Sequence, residues 1–94
     1  MIAREVTLLC SSPEGLRKLW YEEYKPAISE QEGYIQAFLL APQGTENLFQ
    51  MLLIFKSEEL ATNWRKSNRH SLLSPKLSSV ASVKNVDVFE IIED

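Results

Sequence analysis

The chain has 94 residues, 45% of them hydrophobic and 24% charged, and a net charge of −3 at pH 7. That length leaves room for one domain with one core, and the acidic balance runs against the clustered basic face of a nucleic-acid binder. A lone Cys10 excludes an internal disulfide and a thiolate metal cluster and fits a reducing compartment, where it serves as a small buried apolar residue. The longest apolar stretch, Leu48 to Phe55, is far short of the roughly 20 residues that span a bilayer. Charges at Arg4 and Glu5 interrupt the segment that a signal peptide would keep apolar. The expectation is a cytoplasmic protein without a membrane segment.

Ile2 to Cys10 is rich in aliphatic and β-branched residues and reads as a first strand, stopped by Ser11, Ser12 and Pro13. Either serine can cap the helix that follows: Ser12 puts Pro13 at its first position, and Ser11 sets up a reciprocal cap with Glu14. Leu16, Leu19, Trp20, Tyr24, Ala27 and Ile28 then form a 3.6-residue stripe facing the core. Pro26 lies inside that pattern and predicts a kink or break near Tyr24 and Lys25.

Gly33 ends the helix, Tyr34 to Ala41 makes a second strand closed by Pro42, and 42–46 is turn chemistry. Asn47 to Lys56 makes a third strand that pairs with the second as an antiparallel hairpin. Ser57 caps a short helix with Glu58 and Glu59 in its first turn and Trp64 on its apolar face, ending near Asn68. From His70 to Ser82, leucines are scattered among serines, and Ser74-Pro75 can start a fresh helical turn, which predicts an irregular, helix-containing crossover. Val83 to Ile92 reads as a fourth strand and Glu93-Asp94 as a solvated tail.

This order, βαββαβ over residues 1–94 as one domain, predicts an α+β ferredoxin-like sandwich with a four-stranded antiparallel sheet and helices on one face. Leu48 to Phe55 places apolar side chains on both faces of its strand, so the second sheet face needs a cover too. A chain this short has nothing left to supply it. Homodimerisation through the sheet face is therefore expected.

One histidine, one cysteine and scattered carboxylates give no credible metal site. With only Gly15, Gly33 and Gly44 there is no phosphate-binding glycine loop either, so no nucleotide cofactor is expected. Arg4 is unusual on an otherwise apolar strand: a cation directed into a pocket there needs a carboxylate or a ligand.

Several features together carry a resemblance: the glycine-aromatic pair Gly33-Tyr34 after the first helix, the hairpin, Phe55-Lys56-Ser57-Glu58-Glu59, and Trp64-Arg65-Lys66-Ser67-Asn68-Arg69-His70. In these the chain resembles the antibiotic biosynthesis monooxygenase domain family, the dimeric α/β-barrel proteins. The resemblance implies a dimer whose sheets meet, with a pocket in each subunit between sheet and helices. It further implies oxygenation of a small quinol- or phenol-like aromatic without a cofactor, or, as the alternative, a non-catalytic small-molecule-binding or structural dimer. Such chemistry needs a base titrating near neutrality, donors for an oxyanion and aromatic walls. His70 is the candidate base, with Trp64, Asn68, Arg4, Tyr34, Trp20 and Tyr24 as candidate substrate contacts. The haem-degrading branch of similar proteins pairs a first-strand asparagine with a tryptophan and a more distant histidine. Trp64 matches, but the first strand has no asparagine and His70 lies closer to the tryptophan, so that activity ranks below the others.

Overall fold

Alternating burial along β1 (Ile2–Cys10) sends Arg4, Val6, Leu8 and Cys10 to one side of the sheet and Glu5, Thr7 and Leu9 to the other. The computed structural model, which describes residues 1–92, places β1 at the centre of a four-stranded sheet. β1 pairs antiparallel with β3 (Leu48–Phe55) and with β4 (Ala81–Glu90), and β2 (Tyr34–Leu40) pairs with β3, giving the order β2-β3-β1-β4. The antiparallel α+β sandwich expected from the pattern is the fold observed. The expected charged tail, Glu93-Asp94, lies outside the described residues.

Of the two possible caps, Ser12 holds α1 (Pro13–Leu19), its hydroxyl accepting from the Gly15 N–H at 3.2 Å, while the Ser11 hydroxyl donates to the Val80 carbonyl. Of the kink or break expected near Tyr24 and Lys25, the structure shows an irregularity without a break. A π-helical turn, Trp20–Tyr24, absorbs Pro26, and the Lys25 N–H reaches back five residues to the Trp20 carbonyl before α2 (Lys25–Ser29) continues. The widened turn accommodates a ring that cannot follow the ordinary spacing and has no N–H to offer.

Ser57 caps α3 (Glu58–Lys66) by accepting from the Leu60 N–H. The segment after it is not the irregular crossover expected from sequence. It is one helix, α4 (Asn68–Ser78), capped by Ser67 and carrying Pro75 in its interior. Exposed ion pairs Arg69–Glu30 and Lys76–Glu23 tie α4 to the first helical segment, but at that exposure such pairs add little stability. The fourth strand begins at Ala81 rather than Val83, because the β1 register pairs Cys10 with Ala81.

The core lies between the sheet and the helices: Leu8, Phe49, Met51, Leu53 and Phe55 from the strands meet Leu16, Ile28, Ala61, Trp64 and Leu73. On the opposite sheet face no helix packs among the described residues. There Phe38, Leu40 and Phe89 are exposed and Leu52 and Ile54 half-buried, around a polar centre in which Gln50 donates to Glu5 at 3.0 Å.

Gly33 joins α2 to β2 at φ +84°, and its carbonyl accepts from the Lys56 N–H at 2.8 Å. A Cβ at this position would sit 2.7 Å from the Leu60 Cβ, whereas one at Gly44, also at positive φ (+82°), would meet nothing within 4 Å. Gly44→Ala therefore carries only the backbone strain of about 1 kcal/mol. Gly33→Ala adds overpacking and is expected to lower the unfolding free energy by about 2–4 kcal/mol in urea denaturation.

Candidate functional site

Four elements converge beneath the helices. β1 contributes Arg4 and Val6, the π-helical turn Tyr24, α3 Trp64 and Arg65, and α4 His70; together they line a cavity of about 280 Å³ over Met51 and Leu53. The junction between α3 and α4 brings Trp64 and His70 together. Ser67 is extended (φ −72°, ψ 155°), its hydroxyl donates to the Trp64 carbonyl at 2.7 Å, and the same oxygen accepts from the His70 N–H at 3.2 Å. One serine thus ends one helix and starts the next, and the two rings meet edge to face with centroids 5.2 Å apart.

Tyr24 is held from two sides, stacked on Trp20 at 5.4 Å and edge-on to Trp64 at 5.7 Å. Burial pushes its phenol up to about 12, with the Trp64 indole and the Arg4 charge opposing the shift, so it is a neutral hydroxyl at any physiological pH. The indole N–H of Trp64 nevertheless closes no hydrogen bond, and neither does the Nε–H of Arg4. Arg4 is only 7% exposed. Desolvation and then Arg65 hold its guanidinium below the usual 12.5, against the pull of Glu58 and Tyr24, but an arginine remains a cation at neutral pH.

His70 is half-buried at the cavity wall. Desolvation first, then the charges of Arg65 and Arg4, hold its imidazole below the ordinary 6.5. At pH 7 it is therefore neutral and has a lone pair to accept a proton. The other polar side chains of the lining residues, Arg4, Arg65, Tyr24 and Ser74, can all donate, and among the described residues no carboxylate lines the cavity. Among the described residues no group of three or more His, Cys, Asp or Glu side chains could hold a metal ion.

Four of the seven residues singled out from sequence line this cavity: Arg4, Tyr24, Trp64 and His70. The other three do not reach it. Trp20 lies one turn before Tyr24 and packs behind it in the core. Tyr34 sits on the edge strand β2, away from β1 and β4, where its hydroxyl donates to Gln36 Oε1 at 3.1 Å and its ring packs on Phe55. Asn68 opens α4 and is exposed, two residues before His70 and hence about 200° around the helix from it. Arg65 was not singled out from the sequence, and its place at the cavity follows from the direction in which α3 presents Trp64. A second depression of about 300 Å³, lined by Glu22, Glu23, Pro26, Arg69, Leu72 and Lys76, lies on the outside of the helices, and its Glu23 and Lys76 already pair with each other.

No protein-family model and no curated protein matches the chain by sequence. Solved structures do match in shape. SnoaB from Streptomyces nogalater, described as a cofactor-independent oxygenase, superposes with a TM-score of 0.88 at 8% identity, over 99% of this chain and 94% of that one. A protein from Deinococcus radiodurans described as a candidate antibiotic biosynthesis monooxygenase gives 0.82 at 16% identity, over 100% and 95% of the two chains. A point mutant of MhuD with two manganese protoporphyrin IX molecules per active site gives 0.81 at 18% identity, over 100% and 97%. At these identities the likeness is one of fold. The chain thus has the ferredoxin-like α+β fold of the structures described as antibiotic biosynthesis monooxygenases.

Proposed function

We propose that this protein is a cofactor-independent monooxygenase acting on a small aromatic of quinol or phenol type, and that it works as a cytoplasmic homodimer. The observation that carries the reading is a neutral histidine facing a cavity whose other polar groups are donors: a proton acceptor beside sites for a developing oxyanion. The volume, about 280 Å³, is at the small end of ligand pockets and suits a one- or two-ring molecule better than a porphyrin.

In this mechanism the aromatic body packs on Trp64 and Tyr24. His70 accepts the phenolic proton, while Arg4 and Arg65 hold the resulting phenolate. The electron-rich ring then reduces dioxygen: a carbon–oxygen bond forms at an activated methylene, the hydroperoxide loses water as its O–O bond breaks and the remaining C–H proton leaves, and a carbonyl is left. One oxygen atom ends in product and one in water, so the substrate supplies all the electrons. The chain's own contribution is binding, proton transfer and electrostatic stabilisation.

The homodimer reading rests on the uncovered face around Phe38, Leu40, Leu52, Ile54 and Phe89. Light scattering on the purified protein is expected to give the mass of two chains at micromolar concentration, and Phe38→Glu to shift it toward one. A wild-type monomer under those conditions would refute this part of the reading.

Activity is tested by oxygen uptake with a panel of one- and two-ring hydroquinones, benzo- and naphthohydroquinones among them. His70→Ala is expected to lower kcat by about 100-fold or more. Binding of these compounds with no oxygen uptake leaves a ligand-binding dimer in place of an enzyme.

The pH dependence has a definite sign. Burial and positive neighbours disfavour the imidazolium, so the folded pKa lies below 6.5 and the rate should rise with pH through a midpoint below that value. Replacing Arg65 by Met removes one positive neighbour and should move the limb upward, toward 6.5. An NMR titration of the single histidine checks both midpoints; a midpoint above 6.5 in the wild type contradicts the assignment.

A further inference from the structure

The buried end of the cavity raises a question that deprotonation of a neutral phenol does not answer. Arg4 sits between Leu53 on β3 and Val88 on β4, both apolar, and is 93% removed from solvent by its 7% exposure. Its Nε–H has no partner, and neither ion pair among the described residues involves it. Glu58, the acid whose charge acts on it, does not line the cavity. A second cation, Arg65, stands exposed at the same cavity, and among the described residues no carboxylate lines it.

Burying a cation without an anion costs several kcal/mol, and natural sequences rarely keep one unless something arrives to pair with it. A neutral aromatic does not recover that cost on binding; a molecule already ionised does. The exposed Arg65 can attract such a molecule and the buried guanidinium fork can bind its oxygens, a geometry suited to a planar oxyanion. The surrounding walls, from Val6, Met51, Leu53 and Val86, are apolar.

We propose that the cavity selects ligands that are oxyanions on arrival, an apolar one- or two-ring body carrying a carboxylate or an already ionised phenol, with Arg4 as the buried residue that pairs with the charge. The inference rests on the cavity being the substrate site of the oxygenase reading, but not on turnover there. It narrows the substrate class from aromatics in general to aromatic acids and acidic phenols.

Calorimetric titration of the whole protein with 2-naphthoate, 2-naphthalenemethanol and 2-naphthylmethylammonium tests it directly. The carboxylate is expected to bind on the order of 30-fold more tightly than the alcohol, with the cation weakest. A nitrophenol titrated on both sides of its own ionisation separates the two oxyanion sources: affinity that rises as it ionises admits phenolates, and flat affinity restricts the site to carboxylates.

Arg4→Met should abolish the preference for naphthoate while raising the Tm of the ligand-free protein, because an unpaired buried charge has been removed. A purely structural Arg4 would instead lower Tm and leave the preference intact. Equal affinity of the wild type for all three naphthalene compounds overturns the proposal, including through a partner-copy carboxylate already seated on Arg4. Naphthoate selectivity without oxygen uptake on any aromatic leaves this inference standing and removes the oxygenase reading. Turnover of neutral quinols with no preference for anions does the reverse.

Discussion

Trp64 is the side chain on which both the core and the cavity depend. Almost fully buried, it makes edge-to-face contacts with both Tyr24 and His70, and Tyr24 in turn stacks on Trp20. Four rings from three helical segments therefore form one continuous packed chain, running from the interior behind α1 to the cavity wall. Edge-to-face and offset contacts fix ring orientation as well as distance. The orientation of the only histidine is consequently set by core packing rather than by a local hydrogen bond of its own.

That chain exists because of two local departures from a regular helix. The π-helical turn before Pro26 sets where Tyr24 stands relative to Trp20, and Ser67 turns the backbone between α3 and α4 so that residues 64 and 70 face each other. In both cases a residue that disfavours a continuous α-helix, a proline or a capping serine, positions the functional groups next to it. Irregular helical turns often recur at functional sites for this reason.

The cavity keeps features that a stability-optimised core would lose. A buried guanidinium, an indole N–H without an acceptor and a desolvated imidazole each carry a cost in the ligand-free protein. All three residues line one cavity, whose charged groups among the described residues are cations. The electrostatics are also mutually consistent, since the positive field that keeps His70 neutral is the field that would hold an anionic oxygen. The sheet shows a second unmet need on its far side, where apolar side chains of β2, β3 and β4 surround the Glu5–Gln50 pair without a covering layer. One strand alternation produces both surfaces, one face packing on helices and the other left for a partner.

The order of elements was legible in the sequence because each signal is local. Aliphatic and β-branched runs marked β1 and β3, Ser57 and Glu58 marked the start of α3, and Gly33 marked the end of the first helical segment at a backbone angle other residues avoid. Arg4 was legible as an anomaly, a charge on an apolar strand. The extent of α4 was not, because serines and Pro75 mask its 3.6-residue period, and the helix is held by the Ser67 cap and by packing of Leu73. Nor was the start of β4 at Ala81, which its register with Cys10 decides. Membership of the cavity was the least legible of all. Strand order puts Tyr34 on the far edge, helical angle turns Asn68 away from His70, and Arg65 joins the site only through the direction α3 takes. Sequence by itself determined which residues are chemically exceptional and which elements carry them, since propensity and alternation act between near neighbours. Only the tertiary structure decided which of them share a space, because that depends on strand order and helix rotation, set by contacts between residues far apart in the chain.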